Sequence, residues 1–281
     1  MAGCFLGFGK CVGVLIIHLF LQKKSTMALF NSGNPALNEN VFNQSTDVQS
    51  GEFMTVKGTM NKFGFLLFMV LAGAAYSWHL YEIPKLQTMQ TLMWVGLIGG
   101  LITGIIIRFN PTLAQWLAPL YAVLEGLLLG AISAIINDSF KESYPGVVIQ
   151  AVGLTFGVAI AMFLLYNFKV IKPTQRLRSI VFTACAGIFI FYLIDMTLYY
   201  AFNINISITD WSNTSWPSII FSLFVIVIAS LRLIFDYETI EVGAAQAAPK
   251  YMEWYGSFGL LVTLVWLYIE IIRLLSRLTK R

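Results

Sequence analysis

Four carboxylates stand inside long apolar runs: Glu125 in "LAPLYAVLEGLLLGAIS", Asp195 in "IFIFYLIDMTLYY", Asp236 in "ASLRLIFDYETIE" and Glu270 in "VTLVWLYIEIIRLLSR". A bare carboxylate in a lipid-shielded interior costs several kcal/mol. Each acid must therefore hold a proton, pair with a cation or touch water. Basic partners are few but well spaced. Arg232 precedes Asp236 by four residues and Arg273 follows Glu270 by three, so each pair shares a helix face, and Arg277 extends the second face by a turn. Two carboxylates sharing one site titrate as a coupled pair, which allows a switch near neutral pH without histidine. Such oxygen-rich sites also suit calcium, a hard cation that prefers carboxylate and carbonyl ligands. Each acid has a bland alternative too, a structural hydrogen bond to a neighbouring helix.

The elements that must position these acids follow from composition. Of 281 residues, 58% are hydrophobic and 11% are charged, against roughly 25% charged in soluble domains. The chain is an integral membrane protein. From Phe63 onward seven apolar stretches follow, 63–81, 89–107, 116–136, 146–168, 180–202, 217–235 and 254–275. Each is long enough for a spanning helix and too uniformly apolar for a barrel strand. The fold class expected is an all-α seven-transmembrane-helix bundle. Pro84, Pro111, Pro145, Pro173, Pro217 and Pro249 punctuate the connections or the helix ends.

Ahead of the helices the chain divides in two. Residues 1–26 carry an apolar run too short to span; a signal peptide is one reading, but no clean cleavage site follows, and an upstream extension or non-native start before Met27 is the favoured one. Residues 27–62 read as a flexible polar cytoplasmic lead-in, and 63–281 as the transmembrane domain. Lys57, Lys62, Arg108, Lys250 and the loop "KVIKPTQRLR" put most basic charge on one side, while the opposite loops hold Lys85 and Lys141. The amino terminus is therefore expected in the cytoplasm. Seven spans then put the basic tail "RLTKR" outside, which conflicts with the same rule unless the last segment is re-entrant. Glycines four apart (Gly96, Gly100 and Gly104; Gly126 and Gly130; Gly153 and Gly157) are expected to be faces of close helix approach.

Other chemistries find little support. His18 and His79 are isolated, Cys4, Cys11 and Cys185 lack metal-ligand spacing, and the charge of +4 is scattered at helix ends rather than gathered for nucleic acid. Nucleophile elbows, zinc-ligand pairs and phosphate loops are missing, so no enzyme and no cofactor is expected.

The segment "FDYETIEVGAAQAAPKYMEWYGSFGLLVTLVWLYIEIIRLLSRL" resembles the carboxy-terminal signature of the Bax inhibitor family, bacterial branch. "LAPLYAVLEGLLLGAISAII" and "MALFNSGNPALNE" are similar to that branch too, so the resemblance covers nearly the whole chain from Met27. It implies seven helices with the last at the centre of two three-helix layers, in a bacterial inner membrane. It also implies a pH-sensitive calcium leak gated by an acid late in the sixth helix and another in the seventh, which fall on Asp236 and Glu270. Both acids, ionised at high pH, would repel and loosen the seventh helix, and a shared proton or an arginine bridge would close it. Arg108 is the nearest match to a basic residue that accompanies the pair in the family. The chain departs from the pattern in carrying glutamate at the second acid and a longer segment between the two. Helical rise favours a rival partner, because Asp195 lies ~22 Å into its span and Glu270 ~24 Å into its own. The resemblance also allows another role, a regulator of a membrane protease or stress-pathway protein without transport, using 31–56 or 169–178 as its contact surface.

Overall fold

The computed structural model describes residues 53–280 apart from 84, 85, 143, 205, 207, 212 and the side chain of Leu86. The expected extension 1–26, the start at Met27 and the lead-in up to residue 52 lie outside the described residues. Seven long apolar helices follow, α1 Val56–Glu82, α2 Leu86–Phe109, α3 Ala114–Ser139, α4 Val147–Asn167, α5 Gln175–Phe202, α6 Trp216–Ala245 and α7 Met252–Thr279. All seven are long and apolar enough to cross a membrane.

Local chemistry explains most of the boundaries. Thr55 caps α1, its hydroxyl accepting from Gly58 N–H at 2.9 Å, and Thr174 caps α5 by accepting from Leu177 N–H at 3.2 Å. Pro217 sits in the first turn of α6, where a missing N–H leaves no bond unmade. Two boundaries differ from the apolar runs. Helix α1 begins at Val56, ahead of Phe63, because the Thr55 cap admits Lys57 and Lys62 to its first two turns. Helix α6 continues to Ala245, past the end of its run at 235, because Asp236, Tyr237 and Ile240 face inward while Glu241 faces out. Asp236 therefore lies well inside its helix and does not close it.

Helices α1, α2 and α3 pack on one another, α4 and α5 each pack on α6, and α7 runs between the two groups, touching α1, α3, α4 and α6. Its most apolar stretch is 83% buried, whereas those of α1 and α5 are 28% buried. The last helix is central. It is also continuous from Met252 to Thr279, which removes the expectation of a re-entrant final segment.

The glycine faces divide. Gly126 and Gly130 lie against the backbone of α1 at Val70 and Ala74, and a Cβ at Gly96 would stand 2.6 Å from the carbonyl oxygen of Leu124. Gly153 and Gly157 meet nothing within 4 Å, so this part of the packing expectation is not met.

Candidate functional site

The polar residues of the interior are arranged in stations along α7. At the end where α1 begins and α6 turns into α7, Glu253 is 1% exposed. Its carboxylate accepts from Thr55 N–H and the Thr55 hydroxyl, both at 2.9 Å, and from Lys62 Nζ at 2.5 Å, with Lys250 Nζ at 3.6 Å. Met54 N–H donates to the carbonyl of Ala248 at 2.8 Å, and the Ser257 hydroxyl donates to that of Thr59 at 2.7 Å. The start of α1 is thereby tied to the first turn of α7. The sequence reading missed Glu253, because an acid in a first turn reads as an ordinary helix-dipole partner.

Deeper from the same end, Asp236 pairs with Arg232 Nε at 3.3 Å and accepts a hydrogen bond from the Thr263 hydroxyl of α7. A cavity of ≈ 50 Å³ opens beside it, lined among others by Arg108, Arg232, Tyr255 and Phe258. Arg108 Nη1 donates to the Tyr255 hydroxyl at 3.5 Å. The basic residue expected to accompany the acids thus borders the Asp236 station.

Glu270 belongs to a second station, further along α7, and is fully buried. Arg273 Nη1 lies 3.0 and 3.1 Å from its two carboxylate oxygens and donates to the Tyr192 hydroxyl at 2.5 Å. Tyr192 in turn donates to Glu270 at 3.1 Å. The Arg273 guanidinium also lies 4.9 Å from the Trp211 ring centroid and feels the charge of Asp195, one turn past Tyr192 on α5. Arg277 is fully buried one turn on. It donates to the carbonyls of Ser218 at 2.5 Å, Ile208 at 2.7 Å and Asp210 at 3.0 Å, and to the Ser222 hydroxyl at 2.7 Å.

Asp236 and Glu270, expected as a pair, are not in contact. The α7 residue that meets Asp236 is Thr263, two turns before Glu270, or ~10 Å along the axis. Each acid has its own arginine instead. Asp195, the rival by depth, shares the Arg273 station with Glu270. The fourth acid, Glu125, is fully buried on α3 beside Tyr121 and Gly100.

Burial takes one residue of the basic tail out of the charge count, while Lys280 stays exposed and keeps its weight there. Arg273 and Arg277 are consumed inside the bundle, so neither contributes a solvated charge to loop counting.

The three-plus-three arrangement around a buried, acid-bearing last helix agrees with a match over residues 34–280 to the family described as Bax inhibitor 1 like. The chain belongs to that family. No curated protein and no solved structure matches it. As a Bax inhibitor 1 like protein it is a multi-pass membrane protein in contact with the lipid bilayer.

Proposed function

We propose that this Bax inhibitor 1 like protein is a pH-sensitive, calcium-permeable leak channel of a bacterial inner membrane. The observation that carries the reading is Asp236, a buried carboxylate held by one hydrogen bond to the central helix and one arginine, with a cavity at its side. Arg232 and Arg108 line that cavity and repel an entering cation, so this arrangement is a closed one. Calcium passes when it replaces Arg232 on the ionised carboxylate, gaining the hard oxygen ligand it prefers. The sign with pH follows: protonating the carboxylate removes the ligand, so flux falls as pH falls. Glu270, already neutralised by Arg273, anchors the far half of α7.

The test is calcium entry into dye-loaded liposomes that hold the purified protein. Wild type should pass calcium faster at alkaline than at acidic pH. Asp236→Asn should flatten that dependence, and Arg232→Gln should raise the flux at neutral pH severalfold. No flux in wild type, or unaltered behaviour in both variants, refutes the proposal.

A regulator without transport remains the second reading, favoured by one surface. Lys169 and Lys172 on the α4–α5 connection and Arg176 in the first turn of α5 are all exposed, a basic patch suited to an acidic partner such as a membrane protease or stress-pathway protein. Co-purification of such a partner through this patch, with no flux, would support it.

A further inference from the structure

Four acids lie at membrane depth, and three of them interact with an arginine: Asp236 with Arg232, Glu270 with Arg273, and Asp195 with Arg273. Glu125 differs. Neither of its carboxyl oxygens completes a hydrogen bond, and neither does the hydroxyl of Tyr121, one turn back on the same face. These two buried groups act on each other, and among the described residues no charged side chain acts on Glu125.

The surroundings explain why. From α2, Gly96 and Gly100 face α3, and the Thr103 hydroxyl is committed to the carbonyls of Gly99 at 2.7 Å and Gly100 at 3.1 Å. Arg108 lies two turns beyond Gly100, ~12 Å along the axis, and donates to Tyr255 of α7. On α1, Lys62 is bound to Glu253, and Leu66, Val70 and Gly73 are apolar. From α7 the ring of Phe258 meets Tyr121 edge-on, with centroids 4.9 Å apart. Helix α4 brings no titratable side chain before Tyr166.

Gly100 adds a second observation. A Cβ built there would stand 3.6 Å from Glu125 Oε1 and 4.0 Å from Tyr121 Cε2, ordinary contact distances. The glycine therefore leaves methyl-sized room against the carboxyl group. The room cannot hold calcium, which needs six or more oxygens where this site offers one carboxyl and one phenol. It suits a proton.

We infer that Glu125, backed by Tyr121 and given room by Gly100, is a proton-binding site of the bundle, distinct from the arginine-paired acids. The argument is one of charge balance: each of the other three acids has an arginine to offset its charge, whereas an ionised Glu125 would stand buried with only a phenol beside it. Phe258 connects this site to the proposed gate, since its ring packs on Tyr121 and also lines the cavity beside Asp236. That connection rests on the channel reading; the proton site does not.

Difference infrared spectroscopy of the purified protein in lipid nanodiscs, titrated from acid to alkaline pH, tests the site without measuring transport. Wild type should show the carbonyl band of a protonated carboxyl group that is lost as pH rises, with one component that Glu125→Gln removes and Asp236→Asn keeps. Gly100→Ala has room to fold and removes space beside the anion, so it should move the loss to higher pH by about one unit. A titrating band unchanged in Glu125→Gln overturns the inference. Should that variant not fold, a Gly100→Ala titration identical to wild type overturns it instead. In liposomes that pass calcium, Glu125→Gln should also flatten the pH response. A band that behaves as expected in a protein that passes no calcium would refute the channel and leave the proton site standing.

Discussion

Arg273→Met is expected to destabilise the bundle by about 3–5 kcal/mol, the range measured when one partner of a buried ion pair is removed. The side chain is 2% exposed and holds three things together. It pairs with Glu270 on its own helix, donates to Tyr192 on α5, and lies over Trp211 in the α5–α6 connection. Its removal leaves Glu270 and Asp195 in one lipid-shielded station with no guanidinium between them. Glu270→Gln is expected to be milder, about 1–2 kcal/mol, because the amide still accepts from Tyr192 and Arg273 keeps the charge of Asp195. The asymmetry is the informative result, and reversible unfolding in mixed micelles reads it. Equal costs for the two variants would mean that the arginine does not organise the station.

That station was only partly legible in the sequence, and the reason is physical. Rise along a helix can be counted from one chain, which is how Asp195 came out at the depth of Glu270. The register between two helices cannot be counted, because it depends on which faces pack. The motif alone joins Asp236 to Glu270, whereas packing brings Asp236 to Thr263. The seven spans were legible because unbroken apolar runs leave few alternatives in lipid. Their ends were less so: hydropathy stops at Asp236, yet α6 runs on to Ala245 because alternate charged and apolar residues can continue a helix with one buried face. Charge counting overweights the tail for a related reason, since it registers Arg277 as basic but not as buried among the carbonyls of Ser218, Ile208 and Asp210.

Two glycine pairs that read identically in the sequence should behave in opposite ways when changed to alanine. In lipid, helix association lacks the hydrophobic drive it has in water and depends on close packing, which small residues permit. Gly126 and Gly130 serve that need directly. A Cβ at Gly130 would stand 2.6 Å from Ala74 Cα and 2.8 Å from its carbonyl carbon, and one at Gly126 would stand 3.0 Å from Val70 Cα. The obstructing atoms are backbone, which cannot rotate aside as a flexible side chain would, so α1 must move away from α3 as a whole. Each substitution is expected to cost about 1–3 kcal/mol, the usual range for overpacking, and the double variant more than either. Gly153 and Gly157 on α4 meet nothing within 4 Å. Alanine there meets no obstacle and removes the entropic penalty of glycine inside a helix, so each change is expected to stabilise by about 0.5–1 kcal/mol. Unfolding midpoints of the four single variants, measured side by side in mixed micelles, settle the matter. A loss at Gly153 as large as that at Gly130 would mean that α4 has a close partner on that face, and a neutral Gly130→Ala would mean that α1 and α3 are not held by backbone contact.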